Sequence, residues 1–180
     1  MANVDQAVLQ EESWTNVGDV SQLRAEFSGW HSQVVSILEA VSETFTLALH
    51  DRAPLKRWSK GRVTLLGDAC HPMEPHLAQG AAQAIEDGAA LTSVLASGIG
   101  NIEHALNKYE ELRLPRTSLI QSMADQNRKN FHLQDGPDQK ARDAALARGE
   151  AGFDLSRIGW LYGHDATSLD FEGVSSHNDT

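Results

Sequence analysis

A short apolar run ending in glycine and aspartate constrains this chain more than any other feature. Val63-Thr64-Leu65-Leu66 leads into Gly67-Asp68, then Ala69-Cys70-His71-Pro72, Pro75-His76 and Gly80-Ala81-Ala82. A nearly continuous apolar run of this length suits a strand buried on both faces, as in parallel sheets. Gly, Asp and two prolines then demand a loop. A helix opens at about Gly80, with Ile85, Leu91, Val94 and Leu95 on its apolar face, and Ser97-Gly98 stops it. Strand, loop and helix in that order put the loop at the carboxyl end of a strand, where α/β sheets bind cofactors.

The residue types in that loop suit a ligand. A carboxylate at Asp68 can accept hydrogen bonds from ligand hydroxyls, and Gly67 leaves room for close approach. An Asp in a turn is common by itself; the order of the pieces carries the signal. Pro72 and Pro75 stiffen the loop, withhold two N–H groups and leave carbonyls for a ligand. Gly80, Ala81 and Ala82 open a helix whose unpaired amides and partial positive charge favour an anion or electron-rich ring. Close helix packing would use the same small residues.

His71 and His76 do not read as a metal pair. They are five apart across two prolines, and no carboxylate sits at a zinc-motif spacing. Cys70 reads as a packed, inert thiol. His76, just before the helix, can bind a substrate carboxylate or hydroxyl, or assist proton transfer. An ordinary surface-loop histidine is the competing reading.

Elsewhere the pattern is mostly helical. Asp19 caps a helix carrying Val20, Leu23, Phe27 and Trp30, with a break near Gly29 before Val34, Ile37, Leu38 and Val41. Residues 44–50 alternate in the manner of a half-buried strand, with Phe45, Leu47 and Leu49 on one side, and Pro54 ends it. Asn101 caps a helix whose stripe is Ile102, Ala105, Leu106, Tyr109 and Leu112. Pro115 is expected to interrupt or kink that helix. Asp135-Gly136-Pro137 is a turn before a short polar helix, Trp160-Leu161-Tyr162 is an apolar patch, and residues 175–180 read as a loose tail. Two strands, one of a type that wants neighbours on both sides, under-supply a sheet. The chain therefore reads as part of a larger fold, or as a subunit that pairs with another chain.

Composition narrows the class. With 180 residues, 41% of them hydrophobic, the chain can bury a core. A formal net charge of -10 disfavours nucleic acid and anionic membranes as partners. One cysteine excludes an intrachain disulfide and a cysteine zinc cluster. No signal-like segment or membrane-length apolar run is present, so a cytoplasmic location is expected.

Residues 61–95 resemble the second flavin-binding motif of the FAD-dependent aromatic-ring hydroxylases of the salicylate hydroxylase type. The similarity extends to Arg52-Ala53-Pro54-Leu55 and Trp58 upstream. Downstream it takes in Tyr109-Glu110, Arg113-Leu114-Pro115-Arg116, Phe131-His132-Leu133 and Trp160-Leu161-Tyr162-Gly163. Cys70 and His76 within Asp68-Ala69-Cys70-His71-Pro72-Met73 and Pro75-His76 are similar to the 6-hydroxynicotinate 3-monooxygenase branch. Glu74 and Gln83 look like ordinary variation.

The resemblance implies an α/β parent fold of which this chain is a mostly helical C-terminal portion. It divides the chain into the end of a substrate-binding domain (1–43), the flavin-contacting strand, motif and helix (44–97), C-terminal helices (98–150) and a tail (151–180). Asp68 would bind the ribityl chain of FAD. Pro75 would lie near the reactive face of the ring system, and Gly67, Gly80, Ala81 and Ala82 would complete the contact. His76 would line the substrate pocket. The implied reaction is hydroxylation of an aromatic or pyridine carboxylic acid, with NADH as reductant and oxygen as co-substrate.

No Gly-x-Gly-x-x-Gly occurs, so the fingerprint for the ADP half of FAD is missing. An N-terminal FAD-binding segment or subunit is the expected partner, and the chain alone is not expected to be catalytic. A salicylate or hydroxybenzoate hydroxylase portion and a non-catalytic helical interaction module are the alternatives.

Overall fold

The computed structural model describes residues 16–47, 49, 52–97, 100–150 and 155–168, with side chains from 158 in the last stretch. It divides into two compact units, residues 1–49 and 50–180. Part of the alternation at 44–50, and the tail 175–180, lie outside the described residues.

The first unit holds two short helices, α1 (Val20–Glu26) and α2 (Ser32–Glu39). Asp19 caps α1 by accepting the Ser21 N–H at 2.7 Å, and Gly29, at φ +86°, separates the two helices. Arg24 fastens them together by donating to the carbonyls of Leu38, Glu39 and Val41. The strand expected here is reduced to one bridge, Val17 with Phe45. Over 44–47 its faces are also reversed: Thr44 and Thr46 are half-buried, while Phe45 and Leu47 are exposed; Leu49 is half-buried as expected. A strand is held by its neighbours, and among the described residues only 16–18 lie alongside.

The second unit begins with a hairpin, β1 (Ser59–Lys60) and β2 (Val63–Thr64), paired antiparallel through a tight turn at Gly61-Arg62. The parallel strand buried on both faces is therefore not formed among the described residues. Val63 is 66% exposed and Leu66 is exposed too. Beyond the hairpin come α3 (Gly80–Ala96), α4 (Ile102–Phe131), α5 (Pro137–Ala147) and α6 (Leu155–Tyr162). No described helix is long and apolar enough to cross a membrane.

The core lies where α3, α4 and the hairpin meet, around Trp58, Cys70, Ala90, Val94 and Tyr109. Asn101 caps α4 by accepting the His104 N–H at 3.0 Å. Pro115 does not interrupt α4, which runs through it. Proline costs a helix the bond its N–H would give to residue 111, but Pro115 is on the exposed side, where water can satisfy that carbonyl. The flanking turns are anchored by the buried side chains of Arg113 and Thr117.

Helix α3 departs furthest from the apolar-stripe reading. Its buried stripe is Gln83, Asp87, Ala90 and Val94, whereas Ile85 is 74% exposed and Leu95 is exposed. Counting apolar residues locates Val94 but misses the polar residues that face the core.

Candidate functional site

The chain leaves β2 extended through Leu66 and turns sharply at Gly67, whose φ is +61°. A Cβ at Gly67 would meet the Ala84 side chain at 3.3 Å. Both the backbone angle and the crowding favour glycine. This close approach lays the short 3-10 turn Gly67–Ala69 against the start of α3.

Asp68 stands exposed on that turn. A Cβ built on Gly80 would lie 4.0 Å from Asp68 Oδ1 and 3.8 Å from Met73 Cγ, so Asp68 and the first turn of α3 border one space. Gln79 offers no capping side chain to α3. The first bond to a loop carbonyl runs from the Gln83 N–H to Gln79, at 2.9 Å. The amides of Gly80, Ala81 and Ala82 precede it and have no helical acceptor. A carboxylate acceptor thus faces amide donors and the positive end of a 17-residue helix. The residues fit a cofactor that offers hydroxyls to one side and an electron-rich edge to the other.

What fixes this geometry is a buried charge network. Asp87 Oδ2 accepts from the Gly67 N–H at 3.0 Å and from His71 Nε2 at 2.6 Å. Its Oδ1 accepts from Arg113 Nε at 2.7 Å. Arg113 also donates to Glu86, to the Gln83 carbonyl and to Gln83 Oε1. Arg116 pairs with Glu86 and donates to the carbonyls of Trp160 and Leu161, which ties α6 to the same cluster. Burial pushes the Asp87 carboxyl up, but hydrogen bonds from His71, Arg113 and Gly67 outweigh it and hold it below the usual value. Glu86 behaves alike: burial raises it, and Arg116 and Arg113 bring it below.

Cys70 is fully buried and its thiol donates to the Gly67 carbonyl. Burial, then the Asp87 charge, push its pKa up to about 12. The ligand atoms of Cys70, His71 and Asp87 lie within 4.8 Å of one another. All three side chains are buried, and both Asp87 oxygens accept hydrogen bonds, so the cluster braces the turn at Gly67 against α3.

The prolines act differently from the expectation. The Pro72 carbonyl accepts from Gln121 Nε2 at 2.9 Å, and the Pro75 carbonyl from the Ala78 N–H at 3.1 Å. Both hold the loop in place and are not left for a ligand. Pro75 opens a second 3-10 turn, Pro75–Leu77, that closes on Ala78 at φ +53°. His76 sits in this turn, half-buried, edge-on to the rings of Phe131 (6.2 Å) and His132 (5.4 Å). Asn127 holds its carbonyl at 3.1 Å. A cavity of about 310 Å³ lies alongside the loop, lined by Arg52, Pro54, Pro72, Met73, Glu74 and Gln121 among others; it does not include Asp68 or Gly80.

Asp68, Gly80, Ala81 and Ala82 therefore come together, with Gly67 as the hinge beneath them. Asp87, Arg113 and Gln83 are the residues sequence reasoning passed over. Gln83, Glu86 and Asp87 are the polar members of α3 clustered on one side, and that clustering was the available signal. Gln83 and Glu74, read as ordinary variation, both hold partners in this region.

An uncapped helix opening beside a glycine–aspartate turn belongs to the cofactor-binding α/β class. The chain matches the family described as FAD binding domain over residues 12–124, and it belongs to that family. It is 41% identical over 158 residues to a 3-amino-4-hydroxybenzoate 2-monooxygenase of Streptomyces platensis, covering 88% of this chain and 39% of that protein. Over 107 residues it is 49% identical to the 6-hydroxynicotinate 3-monooxygenase of Pseudomonas fluorescens, covering 59% of this chain and 28% of the relative. A salicylate hydroxylase solved with substrate superimposes with a TM-score of 0.72 at 25% identity, covering 90% of this chain and 40% of that one. The chain thus spans about two fifths of the length of the first and third of these and less than a third of the second.

Proposed function

We propose that this chain supplies the C-terminal part of the FAD site of a flavin-dependent aromatic monooxygenase. One observation carries the reading: Asp68 and the uncapped amides of Gly80, Ala81 and Ala82 border one space, locked there through Gly67 by Asp87. Asp68 would accept from the ribityl hydroxyls, and the α3 amides would face the pyrimidine edge. When bound, FAD would supply the redox chemistry, with NADH as reductant and oxygen as oxidant. The protein's share is to orient the cofactor and to present His76 to a substrate.

The substrate class we propose is a hydroxylated aromatic or pyridine carboxylic acid. The relatives support it: 3-amino-4-hydroxybenzoate and 6-hydroxynicotinate are both ring acids carrying a hydroxyl. The ADP half of FAD would be bound by a dinucleotide-binding segment that this sequence does not contain.

Reconstitution tests the proposal. The chain is co-expressed with the N-terminal segment of the Streptomyces platensis relative, and bound flavin and substrate-dependent NADH oxidation are measured. The expected result is retained FAD and turnover, both lost in Asp68→Ala. Wild-type activity in Asp68→Ala, or no flavin retained by the reconstituted wild type, contradicts it.

A further inference from the structure

His71 is fully buried, and it brackets Gly67 from both sides. Its backbone N–H donates to the Gly67 carbonyl at 3.0 Å. Its side chain meets Asp87 Oδ2 through Nε2 at 2.6 Å, and the same oxygen accepts the Gly67 N–H at 3.0 Å. The other ring nitrogen, Nδ1, is sealed from solvent and has no hydrogen-bond partner among the described residues. The Trp58 ring stands 5.5 Å away.

These contacts decide what the ring can be. Asp87 is held in its ionised form, and an ionised carboxylate only accepts hydrogen bonds. Nε2 therefore carries the hydrogen. A charged ring would carry a second hydrogen on Nδ1, a buried donor with nothing to receive it. That costs more than an idle lone pair on a neutral ring. Nor does the cluster need the charge: Asp87 and Glu86 already face Arg113 and Arg116.

We infer that His71 is a positioning residue for the cofactor site: a neutral Nε2–H ring whose hydrogen holds Asp87 Oδ2 against the Gly67 N–H and so sets the turn that presents Asp68. Nε2–H is taken by Asp87 and Nδ1 is sealed, so the ring has no free atom for a ligand and takes no proton from a substrate. The role rests on the reading of Asp68 as a cofactor contact. A glutamine amide can donate from the position of Nε2, whereas the shorter asparagine cannot.

Proton–nitrogen NMR spectra of the full chain at about pH 7.5, above the ordinary histidine value, test the ring. The wild type is expected to show a bare Nδ1 and a protonated Nε2 whose proton exchanges slowly with water. The Gly67 amide is expected to exchange about tenfold faster in His71→Asn, and at the wild-type rate in His71→Gln. FAD affinity of the reconstituted enzyme should follow the same order.

A doubly protonated ring, an Nδ1–H form or an Nε2 proton in fast exchange overturns the proposal. So do equal Gly67 exchange rates, or equal FAD affinities, in the two variants. The wild-type spectrum decides by itself if a variant does not fold. The spectra and exchange rates need neither flavin nor substrate. Failure of the cofactor-site reading would show separately, as a reconstituted wild type that retains no flavin while the His71 spectra come out as expected.

Discussion

Asp87 and Gly67 are twenty residues apart and joined by a hydrogen bond of 3.0 Å from the Gly67 N–H to Asp87 Oδ2. That bond connects the core of the second unit to the turn that presents Asp68. It makes the candidate site depend on a residue that touches no ligand.

Asp87→Asn is expected to destabilise the chain by about 3–5 kcal/mol, the range for breaking one side of a buried ion pair. It leaves the buried Arg113 guanidinium with Glu86 as its one remaining carboxylate partner among the described residues. Urea unfolding followed by circular dichroism checks this. The double variant Asp87→Leu with Arg113→Met is expected to lose less than Asp87→Asn, because no uncompensated charge remains.

Acid is expected to unfold the chain through the same cluster. Glu86 and Asp87 are held below their ordinary values of 4.5 and 3.8. A carboxyl with a depressed folded pKa binds its proton more readily when unfolded. Its stabilisation is present above those ordinary values and is lost as pH falls through the folded ones. The urea midpoint should hold from neutrality to about pH 5 and fall below it. Glu86→Gln should lower the plateau and shallow the fall. A midpoint that rises on acidification contradicts the network.

Gly67→Ala is expected to cost about 1–2 kcal/mol from the left-handed backbone alone. The contact of its Cβ with Ala84 at 3.3 Å adds to this. Gly88→Ala, where a Cβ meets nothing within 4 Å, is expected to be neutral or stabilising. Thermal melts of the two variants separate strain at the turn from a general cost of removing glycine.

Cys70 is expected to resist alkylation in the native state. The thiol is sealed and its pKa is pushed up to about 12, so almost no thiolate exists at neutral pH. Iodoacetamide labelling followed by mass spectrometry should proceed only as fast as the chain opens, and rapidly in denaturant. Fast stoichiometric labelling under native conditions would place the thiol at the surface.

The turn, the cap at Asn101 and the helix opening at Gly80 were legible in the sequence because each is a local rule about glycine, proline or a capping side chain. The inward face of α3 was not. Apolar periodicity selects Ile85 and Leu95, but α3 turns Gln83 and Asp87 inward because Arg113, 26 residues beyond Asp87, arrives to pair with them. Neither partner announces the other in sequence. Residues 63–66 and 44–47 read as strands by composition, yet a strand needs hydrogen-bonding neighbours that the described residues supply only in part. The prolines were legible as stiffeners, but the side chain of Gln121, 49 residues from Pro72, decides where a carbonyl points.

The most direct test of the central claim is titration of the nitrogen-15-labelled chain with FAD at millimolar concentration. The account predicts shift changes concentrated at the amides of Gly67, Asp68, Gly80, Ala81 and Ala82, and their loss in Asp68→Ala. Changes confined to other residues, or the same changes in Asp68→Ala, would contradict it.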